Sequence, residues 1–246
     1  MSKISQIFIF CAGRGERMMP LTATTPKPLL KIKNQAILSR ILDNLNLISS
    51  VERIIINTFY LSNEFENFLS QINNPKIILS KETNKIETGG GLIYALDKID
   101  LNQPLITLNG DVLWHDAENF SDLNCIYDNF LKTDCDFLLG LKKTGDFLGY
   151  DGKGDFNLNG NLLQRNFNNH DDHQSHVYVG MQVINPLILK NFAKENPAKT
   201  SFSVAEFYKN AVGANYILNR VSGLELKGQY FHIGTPQNLE LVDRNF

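Results

Sequence analysis

Apolar runs without a polar face alternate with helically spaced apolar residues through the first half of this chain, and that alternation leaves it few architectures. Residues 6–11, 53–57, 76–79 and 105–108 are rich in Ile, Phe and Leu and do not alternate with polar residues, the pattern of strands covered on both faces. Between the first two runs, Ile37, Ile41, Leu42, Leu45 and Ile48 recur at helical spacing, and Phe65, Phe68 and Leu69 do so in the next interval. The order β-α-β-α-β predicts an α/β fold with a mainly parallel, doubly wound, Rossmann-like sheet between two helical layers.

Further along, the spacing predicts a helix over 90–98, a strand over 104–109, a helix through 126–131 and a strand over 137–141. Residues 144–176 are rich in Gly, Asn and Asp, and short runs such as 161–165 read as β-hairpin pieces added to the main sheet. That stretch is expected to be an insertion shaping a substrate pocket. The remainder predicts a strand over 177–184, helices beginning near Pro186 and Ser203, a strand over 216–219 and a last helix after Pro236. With 246 residues, 43% hydrophobic and 20% charged, one domain over 1–246 is expected. No hexapeptide β-helix repeat occurs, so a monomer or homodimer is expected.

Lys plus Arg number 24 against 26 Asp plus Glu, a net charge of -2, which argues against a nucleic-acid partner. The three cysteines, Cys11, Cys125 and Cys135, include no CxxC pair. They suggest neither a disulfide framework nor a zinc site, and they fit a cytoplasmic location. Near the start only Ile7, Phe8, Ile9 and Phe10 form an apolar run, short of the roughly 7–15 residues of a signal peptide. No stretch approaches the ~20 apolar residues of a membrane span.

Directly after the first strand comes Cys11-Ala12-Gly13-Arg14-Gly15-Glu16-Arg17-Met18, where small residues let backbone amides approach an anion. It is not a Walker A loop, which needs GxxxxGK[ST]. The dinucleotide fingerprint GxGxxG fails as well, because Met18 fills its third small position and no acidic residue ends the second strand. The Gly13-x-Gly15 turn taken alone is still compatible with a nicotinamide oxidoreductase. Pro20-Leu21-Thr22 and Thr25-Pro26-Lys27-Pro28-Leu29 follow. Taken singly, Arg17 and Lys27 read equally as solvated surface cations.

Together these residues resemble the signature of the sugar-phosphate nucleotidyltransferases, whose fold is the nucleotide-diphospho-sugar transferase type. The resemblance implies a nucleotide site at Ala12, Gly13 and Gly15, with Arg17 on the β- and γ-phosphates and Lys27 on the α-phosphate. Such chemistry is chiefly alignment and charge neutralisation during in-line displacement, because the sugar phosphate is already a competent nucleophile. Met19 stands where many relatives carry a second Arg.

Glu87-Thr88-Gly89-Gly90-Gly91 opens the third predicted helix. Its glycines leave room for a flat base against the backbone, or else meet a loop's need for positive φ. The run is similar to that of the N-acetylmuramate-1-phosphate uridylyltransferases and of relatives that activate heptose or mannose phosphates, which implies that Glu87, Gly89 and Gly90 meet the nucleotide. Asn109-Gly110-Asp111-Val112 is shared with the same group. Asp111 follows a central strand at its carboxyl end, where ligands bind in open α/β sheets and where a single carboxylate suits Mg²⁺. A turn or N-cap role is the plainer alternative.

The resemblance also implies a second metal ligand, an Asp before Gly-Thr in relatives. Here His232 precedes Ile233-Gly234-Thr235. Imidazole is a poorer partner for Mg²⁺ than for softer ions, so His232 is expected either to act through a water or to favour Mn²⁺ or Co²⁺. On the sugar side the resemblance assigns Asn109, Gly154 within Gly152-Lys153-Gly154-Asp155-Phe156, and Gly180 within Tyr178-Val179-Gly180. The Glu-Lys-Pro run of many relatives is missing, which leaves Lys142 as the candidate for the sugar phosphate. His170, His173 and His176 read as part of a polar surface loop.

The function implied is transfer of a nucleoside monophosphate from an NTP, UTP favoured, to a sugar 1-phosphate, N-acetylmuramate 1-phosphate favoured, with Mg²⁺ and release of pyrophosphate. Guanylyl transfer to mannose or heptose 1-phosphate is the alternative reaction. A catalytically silent regulatory subunit that binds sugar nucleotides is the alternative of another class, suggested by Met19 and His232.

Overall fold

A computed structural model describes residues 3–164, 174–210 and 217–246. In chain order, β1 (Gln6–Phe10), the short pair β2 (Lys31–Ile32) and β3 (Gln35–Ala36), α1 (Ile37–Asn46), β4 (Arg53–Thr58), α2 (Ser62–Ser70) and β5 (Ile77–Lys81) come first. They are followed by α3 (Glu87–Tyr94), β6 (Leu105–Asn109), β7 (Val112–His115), α4 (Asp122–Phe130), β8 (Phe137–Lys143) and β9 (Phe147–Leu148). The chain continues through β10 (Asn157–Asn159), β11 (Leu162–Gln164), β12 (His176–Ile184), α5 (Pro186–Glu195) and α6 (Ala205–Asn210). It closes with β13 (Ile217–Glu225), β14 (Gln229–His232) and α7 (Pro236–Asn245).

The main sheet has nine strands in the order β10-β11-β13-β8-β12-β6-β1-β4-β5. Pairing directions show that all but β11 and β12 run the same way, so the sheet is mainly parallel as the sequence predicts. The reason for the missing polar face lies in β1. Ile7 and Ile9 enter the core on one side with α1 residues Ile37, Ile41 and Leu45, while Phe8 enters the other with Leu92 of α3 and Leu189 of α5. Each such side chain contributes about 1.5–3 kcal/mol on burial.

The 144–176 stretch divides between two sheets. β10 and β11 extend the edge of the main sheet through β13, as the hairpin reading anticipates. β9 instead joins a second, three-stranded sheet, β7-β14-β9, which sequence periodicity does not reveal because its strands have two to four residues. The helix expected over 90–98 starts earlier, at Glu87, and gives way to a 3₁₀ turn over Leu96–Lys98. β13 runs well beyond the expected 216–219, and Tyr216 lies outside the described residues.

His170 and His173 lie outside the described residues as well, whereas His176 does not belong to a surface loop. It is the first residue of β12, is buried, and bonds Ser175 Oγ through Nδ1 at 2.7 Å. Cys11, Cys125 and Cys135 are all free thiols. No helix among the described residues is long and apolar enough to cross a membrane.

β12 carries an irregularity that reaches the site. Its register against β8 shifts between Tyr178 and Gln182, and Gly180 there has φ +79°, with Asn109 Cβ only 2.8 Å from where a Cβ would be. Gly180→Ala is therefore expected to lower stability by about 1–3 kcal/mol, measured by urea unfolding; an unchanged midpoint would show that the bulge relaxes freely.

Candidate active site

The carboxyl ends of β1, β4, β5 and β6 open together into a cleft of about 450 Å³. Its first wall is the segment after β1. Met18, fully buried, anchors a 3₁₀ turn over Glu16–Met18, which explains a large apolar residue where a dinucleotide loop would have a small one. Gly15 adopts the left-handed conformation, φ +64°, and a Cβ there would be 3.0 Å from Thr22 Cγ2 and 3.1 Å from Lys27 Cβ. Thr22 also donates its hydroxyl to the Gly15 carbonyl at 2.9 Å. Gly13 differs, because no atom of the described residues lies within 4 Å of its would-be Cβ. The N–H groups of Ala12, Gly13, Arg14 and Gly15 bond no protein acceptor among the described residues, so they are available to an anion.

Lys27, at the start of a 3₁₀ turn, is 9% exposed and donates from Nζ to Asp111 Oδ2 at 2.6 Å. Asp111 reaches this position because Gly110 packs tightly on the end of β1: a Cβ on Gly110 would be 2.8 Å from both Cys11 Sγ and Phe10 O. Burial pushes the Asp111 carboxyl pKa up, but the Lys27 ammonium, by charge and hydrogen bond, outweighs it with help from His232, and the net shift is downward. Asp111 is therefore ionised at neutral pH. Arg17 is exposed on the same cleft.

His232 ends β14, paired with Val112 of β7. Its Nδ1 is 3.3 Å from the Gly149 carbonyl, and the rings of Phe147 and Tyr150 flank it at 5.5 and 6.1 Å. Burial lowers its pKa, against the pull of Asp111, so the ring is neutral at neutral pH. The Thr235 that follows has its own structural task, since its hydroxyl caps α7 by accepting from Asn238 N–H at 3.2 Å.

Of the residues singled out in the sequence, Ala12, Gly13, Gly15, Arg17, Lys27, Glu87, Asn109 and Asp111 line this one cleft. Glu87 does so with φ +60°, unusual for a residue with a side chain. Gly89 and Gly90 are a correction: both amides donate to the Phe202 carbonyl, at 2.9 and 3.1 Å. A Cβ on Gly89 would be 2.3 Å from the Phe202 ring, and one on Gly90 2.4 Å from the Thr200 carbonyl. Gly89 makes room for the Phe202 ring and Gly90 for the Thr200 backbone, and neither amide is left for a base. Gly154 donates its N–H to Tyr150 Oη at 3.2 Å, and Gly180 packs against the Asn109 side chain; neither lines this cleft. Lys142 is buried and donates to the Leu226 carbonyl at 3.0 Å, so it does not face the cleft.

Sequence reasoning missed Asn57, Glu82, Lys85 and Thr88, which line the cleft as well. The rule that placed Asp111 could have found two of them, because Asn57 and Glu82 mark the carboxyl ends of β4 and β5. Glu82 is 5% exposed and accepts from Asn57 Nδ2 at 2.6 Å. Burial raises its pKa from 4.5 to about 7, with the Asn57 bond opposing the shift.

The model for nucleotidyl transferases matches residues 7–136, just over half of the chain. The chain belongs to the nucleotidyl transferase family. Within that family it groups with the sugar-phosphate nucleotidyltransferases, and it is an enzyme of that class. One relative is the N-acetylmuramate alpha-1-phosphate uridylyltransferase of Caulobacter vibrioides, 29% identical over 93% of this chain and 91% of its own length. The enzyme of the same name from Neisseria meningitidis serogroup B is 40% identical over 43% of this chain and 46% of its own. Among solved structures, HddC from Yersinia pseudotuberculosis bound to GMP-PN superposes with a TM-score of 0.75 at 18% identity, covering 99% of this chain and 100% of that one.

For this nucleotidyl transferase the pKa of Glu82 has a consequence for folding. A carboxyl raised from 4.5 to about 7 binds more protons folded than unfolded, so stability falls as pH rises through that window and is flat above it. Glu82→Gln is expected to gain about 2 kcal/mol on the wild type between pH 4.5 and pH 8. Urea unfolding at both pH values checks this; an equal difference at each would mean that Glu82 titrates normally.

Proposed function

We propose that this enzyme transfers a uridylyl group from UTP to a sugar 1-phosphate, N-acetylmuramate 1-phosphate by preference, releasing pyrophosphate. The observation that carries the reading is the set of unbonded amides at Ala12–Gly15 lining one cleft with Arg17 and the Lys27–Asp111 pair. The Caulobacter relative, similar over nearly the whole length, supports the choice of substrates.

In this reading the loop amides and Arg17 hold the β- and γ-phosphates, Lys27 neutralises the α-phosphate, and Asn109 meets the sugar. A sugar phosphate oxygen forms a bond to the α-phosphorus in line with the oxygen that bridges to the β-phosphorus. That bridging bond breaks, pyrophosphate leaves with its electron pair, and no proton has to move. The residues fit a hard divalent cation: Asp111 is an ionised oxygen donor beside Lys27 at the mouth of the phosphate-side loop. Among the described residues no cluster of three or more His, Cys, Asp or Glu could hold the ion by itself, so phosphate oxygens would have to complete its shell. Asp111 would hold Mg²⁺ with His232 beside it, and the ion would supply neutralisation of charge building on the phosphates. Lys27 and Asp111 neutralise each other until the substrates separate their roles.

Glu82, whose pKa burial raises to about 7, bears on the choice of base, and the upward shift favours uracil over guanine. An ionised Glu82 offers only acceptors, which suit the two N–H donors on the edge of guanine, whereas the single N–H of uracil between two carbonyls suits the protonated carboxyl. We also read the chain as one domain over 1–246, with residues 144–176 bordering the sugar, acting in the cytoplasm as a monomer or homodimer.

Pyrophosphate release with UTP, GTP, CTP and dTTP against N-acetylmuramate, mannose, glucose and heptose 1-phosphates tests the reading. Release is expected with UTP and N-acetylmuramate 1-phosphate, lost by at least about 100-fold in Asp111→Ala; exclusive use of GTP would replace uridylyl by guanylyl transfer. The Mn²⁺-to-Mg²⁺ activity ratio is expected to fall in His232→Ala, and equal ratios in both proteins would remove His232 from the metal site.

A further inference from the structure

At the floor of the cleft one side chain of β4 bridges the ends of β1 and β5, which flank β4 in the sheet and do not pair with each other. Asn57, 2% exposed, accepts from the Cys11 N–H through Oδ1 at 2.8 Å and donates through Nδ2 to Glu82 Oε1 at 2.6 Å. Cys11 is the residue from which the phosphate-side loop departs. That loop is therefore fixed at its far end by Thr22 on the Gly15 carbonyl and at its near end by Asn57, with unbonded amides between. The third glycine of the 87–91 run has its use here. A Cβ on Gly91 would be 2.8 Å from both Asn57 Nδ2 and Glu82 Oε1, so glycine makes room for the amide and carboxyl to meet.

The two ends of this chain of bonds face different parts of a nucleotide. Cys11 leads to the amides, Arg17 and Lys27, where phosphates belong, whereas a buried carboxyl such as Glu82 repels phosphate and faces the uncharged nucleoside. A group bonding Glu82 changes what Asn57 feels at Nδ2, and the same side-chain amide holds the Cys11 N–H through Oδ1.

We propose that Asn57 is a positioning residue that couples a nucleoside held at Glu82 to the phosphate-side loop through the Cys11 amide. The proposal rests on the reading of this cleft as the NTP site.

Titration calorimetry of wild type and two variants with UTP, GTP and pyrophosphate provides the test. Asn57→Leu removes both bonds and is expected to weaken pyrophosphate binding about tenfold. Asn57→Asp keeps the acceptor for Cys11 but sets a carboxylate against Glu82. It is expected to bind pyrophosphate as the wild type does while losing about tenfold in NTP affinity, and to regain it when combined with Glu82→Gln. Hydrogen exchange at residues 12–15 of the wild type, with millimolar uridine or guanosine and no phosphate, needs no variant. Slowing by either nucleoside is expected, and unchanged exchange with both overturns the coupling. Unchanged pyrophosphate affinity in a folded Asn57→Leu protein also overturns it. A wild type that binds NTP alongside such variants refutes only the coupling, whereas a wild type that binds neither NTP nor pyrophosphate refutes the reading of the cleft as well.

Discussion

Burial of the central strands on both faces is the constraint from which the rest of this structure follows. With Ile7 and Ile9 packed to one side and Phe8 to the other, β1 has no face left for chemistry, and the same holds for its neighbours. Polar function is displaced to the strand ends, where the chain leaves the sheet and backbone groups lose their ladder partners. Cys11, Asn57, Glu82 and Asp111 all stand at such exits. Four strands pointing the same way bring four exits to one edge, and the cleft is what lies between them.

Electrostatics at that edge are divided. The Lys27–Asp111 pair, with Arg17 nearby, makes one part suited to phosphate and metal, and the Lys27 ammonium holds Asp111 in its charged form. Glu82 pairs with no such cation among the described residues: the Asn57 amide bonds its carboxyl, and burial raises its pKa to about 7. Charge needed for phosphate is thus stabilised in the free protein, while the nucleoside end retains a group whose state a ligand can still decide.

Much of this was legible in the sequence where the physics is periodic or the motif long. Core strands and helices follow from spacing, and Arg17, Lys27 and Asp111 converge as a motif spanning about a hundred residues implies. The small sheet β7-β14-β9 escaped because strands of two to four residues carry too few side chains to show alternation. The glycines of 87–91 were misread for a different reason. A glycine that admits Phe202 or Thr200 backbone and one that admits a base look alike in sequence, since both are defined by what surrounds them. Glu82 stands in the sequence as one acidic residue among polar neighbours, and nothing local to it shows the bond to Asn57, 25 residues earlier, for which Gly91 makes room.

The glycines of the first loop separate two kinds of information. At Gly15 a larger residue would meet Thr22 and Lys27 and would strain the backbone, so the protein itself dictates the choice. At Gly13 nothing among the described residues objects to a methyl group. Under the proposed function, the ligand and not the protein would call for glycine there. Variation at position 15 would therefore track folding, and variation at position 13 would track occupancy, which makes two neighbouring glycines separate reporters on the history of one loop.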